Sequence, residues 1–77
     1  MVQAYILIHT EVGKARDVAA AMRDIPGMVR VDAVTGPYDV VALAEAHTVD
    51  ELGRLIVSKV QAVPGVERTV TCSVVHL

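Results

Sequence analysis

Apolar and polar positions along the chain follow two rhythms in turn, and the whole pattern occurs twice. From Val2 to His9, the residues Val2, Ala4, Ile6 and Ile8 alternate with Gln3, Tyr5, Leu7 and His9. Both sets are mostly apolar, which predicts a central strand buried on two faces. From Val12 to Asp24 the apolar residues Ala15, Val18, Ala19 and Met22, continued by Ile25, recur at helical spacing, with Thr10 as a cap ahead of them. Pro26-Gly27 ends that helix. Met28 to Thr35 reads as a second strand, with Val29, Val31 and Ala33 on one side and Arg30 and Asp32 on the other. Gly36-Pro37-Tyr38-Asp39 is a tight connection into a third strand, Val40 to Ala46, again apolar on both faces. So brief a link makes the two strands an antiparallel hairpin. Thr48-Val49-Asp50-Glu51 is a capping box, and the helix after it runs to about Ala62 with Leu52, Leu55, Ile56, Val60 and Val63 inward. Pro64-Gly65 ends it. Val66 to His76 is the last strand, with Val70, Cys72 and Val74 facing one way and Thr69, Thr71 and Ser73 the other.

A shift of 38 positions lays Ile25-Pro26-Gly27-Met28 on Val63-Pro64-Gly65-Val66, His9-Thr10 on His47-Thr48, Arg30 on Arg68, Val18 on Ile56 and Met22 on Val60. Each unit is strand, helix, Pro-Gly turn, strand. Two in tandem predict an α+β fold, a ferredoxin-like βαββαβ sandwich with a four-stranded antiparallel sheet. Right-handed crossovers put both helices on one face of that sheet and leave the other bare. The bare face carries apolar residues of the first and third strands, more than a soluble monomer normally shows. A second copy packing sheet to sheet, giving a dimeric α/β barrel, is the simplest cover.

Length and composition sharpen this picture. Seventy-seven residues make one domain, 1–77. A chain this short buries only about 60% of the surface its unfolded form exposes. Yet 53% of the residues are hydrophobic, with no Trp or Phe and two Tyr, so the core is aliphatic. The net charge is −2, and Lys14, Arg16, Arg23, Arg30, Arg54, Lys59 and Arg68 are scattered, which gives direct nucleic-acid binding little electrostatic support. The single Cys72 has no partner for a disulfide or a cysteine metal motif and reads as a small buried hydrophobe. The start Met-Val-Gln-Ala-Tyr is not a signal peptide, and no apolar run approaches a membrane span, so a cytoplasmic protein is expected.

Candidate chemistry is sparse. Gly36-Pro37-Tyr38-Asp39 admits two readings. One is a hairpin turn with Tyr38 laid on the sheet and Asp39 accepting turn amides. The other is a ligand loop in which Asp39 faces an ammonium and backbone amides face a carboxylate. His9 and His47 end strands that are neighbours in the expected sheet, which would bring them near each other. A metal site wants a third ligand that His76 and Cys72 do not obviously supply, so no metal or cofactor is expected and both histidines read as strand-end polar residues. Glu11, Glu45, Asp50 and Glu51 form no acid–base pair, and Pro-Gly twice is helix termination, not a phosphate loop.

Tyr5-Ile6-Leu7-Ile8, Ile25-Pro26-Gly27-Met28-Val29, Val34-Thr35-Gly36-Pro37-Tyr38-Asp39-Val40-Val41, and Val63-Pro64-Gly65-Val66 with Thr69-Val70-Thr71 together resemble the effector-binding (RAM-type) domain of the Lrp/AsnC, leucine-responsive or feast/famine, transcription regulators. The likeness covers essentially the whole chain. It implies a βαββαβ module that dimerises through its sheets and assembles into rings of dimers. It also implies an amino acid or related small effector bound between dimers, with Gly36, Tyr38 and Asp39 as first contacts and Thr69 and Thr71 as second. Family members usually carry an N-terminal helix-turn-helix; this chain begins at its first strand and is similar to the stand-alone versions. That implies no direct nucleic-acid contact, and action through full-length Lrp/AsnC-type regulators. Pro37 replaces the polar residue common at its place and removes one amide donor, so effector identity does not carry over.

Two other classes share the fold. An ACT-type amino-acid-binding domain would hold its ligand at a helix–helix dimer edge. A small dimeric α+β-barrel enzyme would need an enclosed cavity between sheet and helices with a polar residue inside, for which Tyr5, His9 and His47 are the candidates.

Overall fold

The computed structural model describes residues 1–77, the side chain of residue 55 excepted. The elements are β1 (Val2–Thr10), α1 (Ala15–Arg23), β2 (Met28–Ala33), β3 (Val40–Ala46), a second helix α2 (residues 49–61) and β4 (Val66–Ser73). The sheet order is β2-β3-β1-β4 and every neighbouring pair is antiparallel, the ferredoxin-like arrangement.

Strand alternation sorts the side chains. Ala4, Ile6 and Ile8 of β1, Val40, Ala42, Ala44 and Ala46 of β3 and Val31 of β2 are buried under the helices. From the helices, Val18, Ala19 and Met22 of α1 and Leu52, Ile56 and Val60 of α2 complete the core, with Ala15, Ile25 and Val63 packed at its margin. Four alanines in the two central strands leave room for the helices to lie close. The buried described residues are all apolar. The side chain of Leu55, expected inward, lies outside the described residues.

The two Pro-Gly turns dock reciprocally. Gly27 has φ +98°, and a Cβ there would come within 2.7 Å of Ile56 Cδ1. Gly65 has φ +96°, and a Cβ there would meet Val18 Cγ2 at 3.0 Å. Gly27 and Gly65 are repeat counterparts, and so are Ile56 and Val18. Each unit's turn is therefore seated on the other unit's helix. Each turn also offers a carbonyl: Gly27 O accepts from Glu45 N and Gly65 O from Glu11 N, both at 2.8 Å.

Several local expectations are corrected. α1 begins at Ala15, not Val12, because Glu11 to Lys14 form a turn, and Thr10 supplies no cap. The second helix does start where expected, with Thr48 Oγ1 accepting from Glu51 N at 3.0 Å. Its middle, Leu52–Val57, is wound more widely, as a π-helix, between α-turns at Val49–Glu51 and Ser58–Gln61. In an α-helix, positions four apart drift by about 40° per step round the axis. Wider turns counter that drift and keep Leu52, Ile56 and Val60 in line. β2 stops at Ala33, and a register shift between Met28 and Arg30 turns Val29 outward, 55% exposed, so it does not share a buried side with Val31. β4 stops at Ser73 rather than His76. Cys72 is exposed, not buried, because it lies on the uncovered side of the edge strand.

Candidate functional site at the loop end of the sheet

The uncovered face can be read from the register, since residues directly opposite share a side. Tyr5 lies opposite Leu43 and Cys72, Leu7 opposite Val41 and Val70, and His9 opposite Arg68. Tyr5, Leu7, Val41, Leu43 and Val70 give this face an apolar centre. Two polar pairs flank it. Gln3 Nε2 donates to Glu45 Oε2 at 3.0 Å, and Arg30 Nε lies 2.8 Å from Asp32 Oδ2. The helix-covered side is filled by aliphatic residues, so Tyr5 and His9 look onto the open face, while His47 is exposed.

One corner of that face is built differently from the rest. The repeated His-Thr pair is used in two ways. Thr48 leaves its strand and caps α2, whereas His9 and Thr10 continue β1. The second helix starts at Val49, whose counterpart is Glu11; the first helix starts only at Ala15. The extra length of β1 reaches the loop between β2 and β3, and the loop closes on it. Asp39 Oδ2 accepts from Thr10 N at 2.8 Å, Asp39 N donates to Ile8 O at 2.9 Å, and Asp39 O accepts from Val34 N at 2.9 Å. The Tyr38 ring packs on the His9 ring, with centroids 4.6 Å apart and planes tilted by 41°. The loop thus spans residues 34–39, longer than the four-residue turn expected. Gly36 at its tip has φ +133°, and an added Cβ there would meet nothing within 4 Å.

Tyr38 and Asp39 are therefore held together at the loop end of β1, with Gly36 at the tip of the same loop. Thr69 and Thr71 are not part of that cluster in the single chain. They lie opposite Ile8 and Ile6 on the helix side of the outer strand β4, and Thr69 Oγ1 accepts a long 3.4 Å bond from Gln61 Nε2. His9 and His47 do not approach each other. β1 and β3 run antiparallel, with Ile8 opposite Val40 and Val2 opposite Ala46, so the two histidines lie at opposite ends of the paired strands. Among the described residues no three His, Cys, Asp or Glu side chains gather as metal ligands. Nor, among them, is any helix long and apolar enough to cross a membrane.

Sequence reasoning passed over His9 and Thr10 as loop partners, and over Arg68. Their signal was the broken symmetry of the repeat: identical residues in both units whose neighbours differ.

The sequence matches the Lrp/AsnC ligand binding domain family over residues 3–76. The chain belongs to that family. Over 71 residues it is 34% identical to an uncharacterised HTH-type transcriptional regulator of Pyrococcus horikoshii, covering 88% of this chain and 47% of that protein. The chain thus spans about half the length of the regulators it matches. TTHA0845 from Thermus thermophilus superposes over all of this chain and 96% of its own, with a TM-score of 0.91 at 32% identity. A transcriptional regulator of Neisseria meningitidis, solved as its complex with L-methionine, shares the fold with a TM-score of 0.83 at 22% identity over 97% of this chain and 50% of its own. In this Lrp/AsnC ligand-binding domain, the Tyr38–Asp39 corner and the open sheet face are the two features that an aliphatic core does not account for.

Proposed function

We propose that this Lrp/AsnC domain senses an amino acid or a related small metabolite and couples its binding to oligomerisation. In this reading two copies pack open face to open face, and dimers associate into rings. The effector sits at the loop end of β1, against Gly36, Tyr38 and Asp39. Thr69 and Thr71, on the outer strand, join it from a neighbouring subunit. The module acts in transcription regulation, in the cytoplasm, by assembling with full-length Lrp/AsnC-type regulators, and neither makes direct nucleic-acid contacts nor catalyses a reaction.

The observation that carries the reading is the position of the Asp39 corner at the rim of an uncovered apolar sheet face. Asp39 is fixed by its bonds to Thr10 and Ile8, and a carboxylate retains acceptor capacity beyond the one used by Thr10 N. A pre-positioned carboxylate beside two rings suits an ammonium-bearing ligand. The methionine complex of the Neisseria regulator supports amino acids as the class to test. The apolar centre of the face, flanked by the Gln3–Glu45 and Arg30–Asp32 pairs, has the anatomy of a protein–protein interface. A ligand preferring one assembly shifts the equilibrium by its differential affinity.

Light scattering after size exclusion, with and without each of the twenty amino acids, tests both halves. The expected result is a dimer or larger species whose size changes with particular amino acids. A lone protomer at micromolar concentration, unmoved by any of them, rejects the reading.

A further inference from the structure

The two units part company in the charges they put on the open face. After each Pro-Gly turn the edge strand opens with a one-residue bulge, Val29 in β2 and Glu67 in β4, and these are repeat counterparts. An arginine follows in each, Arg30 and Arg68. Arg30 is closed onto its own strand by Asp32, at 2.8 Å. The counterpart of Asp32 is Val70, so β4 holds no matching carboxylate, and among the described residues Arg68 forms no ion pair.

Arg68 lies directly opposite His9 on the open face, with Tyr38 packed on the same His9 ring. His9, Thr10, Glu67 and Arg68 line an open depression of about 380 Å³ at this corner. The depression carries one guanidinium and one bulge carboxylate that are not paired with each other. It adjoins the Asp39 corner through Thr10, whose amide is held by the Asp39 carboxylate.

We propose that Arg68 is the anchor for the effector's carboxylate, and that Glu67 beside it excludes ligands that carry a second negative charge. The assignment rests on the sensing reading above and deepens it. A guanidinium presents two parallel N–H donors that match a carboxylate, which a backbone loop stiffened by Pro37 offers less well. Glu67 makes a second negative charge on the ligand unfavourable, so aspartate and glutamate are refused.

The test is calorimetry with the twenty amino acids and their carboxamides, on the unmodified protein, Arg68→Met and Arg68→Lys. Arg68 is exposed, so both variants fold, and circular dichroism checks this. Amino acids that bind the unmodified protein lose roughly tenfold or more in affinity with Arg68→Met, the scale of a charge-assisted hydrogen bond. Arg68→Lys recovers part of the loss. Carboxamides, which lack the anion, bind the unmodified protein and Arg68→Met alike. Equal amino-acid affinity in the unmodified protein and Arg68→Met overturns the anchor and leaves the sensing reading standing. Tight binding of aspartate or glutamate to the unmodified protein overturns the exclusion of acidic ligands. No binding of any probe overturns both the anchor and the sensing reading.

Discussion

Under the proposed function, Asp39 is one side chain that serves structure and site together. It ends the hairpin loop and pins β1 through Thr10 and Ile8, and in the proposed reading it also meets the effector's ammonium. Asp39→Ala should abolish amino-acid binding with the fold intact. It should also cost about 1–3 kcal/mol, because Thr10 N loses a charge-assisted acceptor. In a domain of this size that lowers the melting temperature by roughly 4–8 °C per kcal/mol. Asp39→Asn keeps an oxygen for Thr10 and removes the charge, so it should retain most of the stability and still lose the ligand. Calorimetry with parallel thermal melts separates the two roles; undiminished binding by a folded Asp39→Ala protein would reject the assignment. The glycines rank by the same residue-level logic. Gly27→Ala combines a positive φ with contacts at 2.7 Å to Ile56 and 3.0 Å to the Glu45 carbonyl, and should cost about 2 kcal/mol or more. Gly36→Ala meets no neighbour, so only the backbone term remains, on the order of 1 kcal/mol. Urea titrations that reversed this order would show that the Gly27 turn is not seated as described.

At the scale of elements, the same dipeptide behaves differently in its two places. Thr48 caps α2 and Thr10 stays in β1. Thr48→Ala should therefore cost about 1 kcal/mol, the usual value of a lost N-cap. Thr10→Ala removes a side chain that caps nothing and should stay within about 0.5 kcal/mol. Denaturant midpoints with unchanged slopes decide between this asymmetry and equal effects. The repeat made the two positions look alike in the sequence. What distinguishes them is the length of β1, and no local propensity encodes it. The wide winding of Leu52–Val57 was likewise hidden, although the spacing of Leu52, Ile56 and Val60 carried a trace of it. Gly53 lies in that segment with open space around an added Cβ, so Gly53→Ala should stabilise the protein by about 0.5–1 kcal/mol.

For the whole molecule, the decisive feature is that two helices cover one face of a four-stranded sheet and none of the described residues covers the other. Leu7 stands near the middle of the open face, between Val41 and Val70. Leu7→Glu puts a charge there without touching the helix-side core. It should convert the assembly to monomers while leaving the circular dichroism spectrum unchanged. Sedimentation at micromolar concentration reads the result, and a variant that keeps its oligomeric state would show that the sheet face is not the interface. Charge follows the same division. Of the scattered cations, Arg30 and Arg68 lie on the open face and the other five lie on or beside the helices.

The sequence by itself determined the elements, their order and, outside the bulge that turns Val29 outward, their faces. Hydrophobic period is a local property, alternating in strands and near 3.6 in helices, and the duplicated βαβ unit left one sensible way to close a sheet. It also singled out the loop that ends in Tyr38 and Asp39. Only the tertiary structure decided what that loop meets. The register of β1 against its neighbours, the bulges at Val29 and Glu67 and the divergence of His9-Thr10 from His47-Thr48 are set by pairings between segments far apart in the chain. Register is a sum of many distant contacts, and none is legible in the segment it moves. For that reason Tyr38 and Asp39 were visible as candidates from the start, whereas their partners His9 and Thr10, and the arginine across the strand, became visible only once the sheet was assembled.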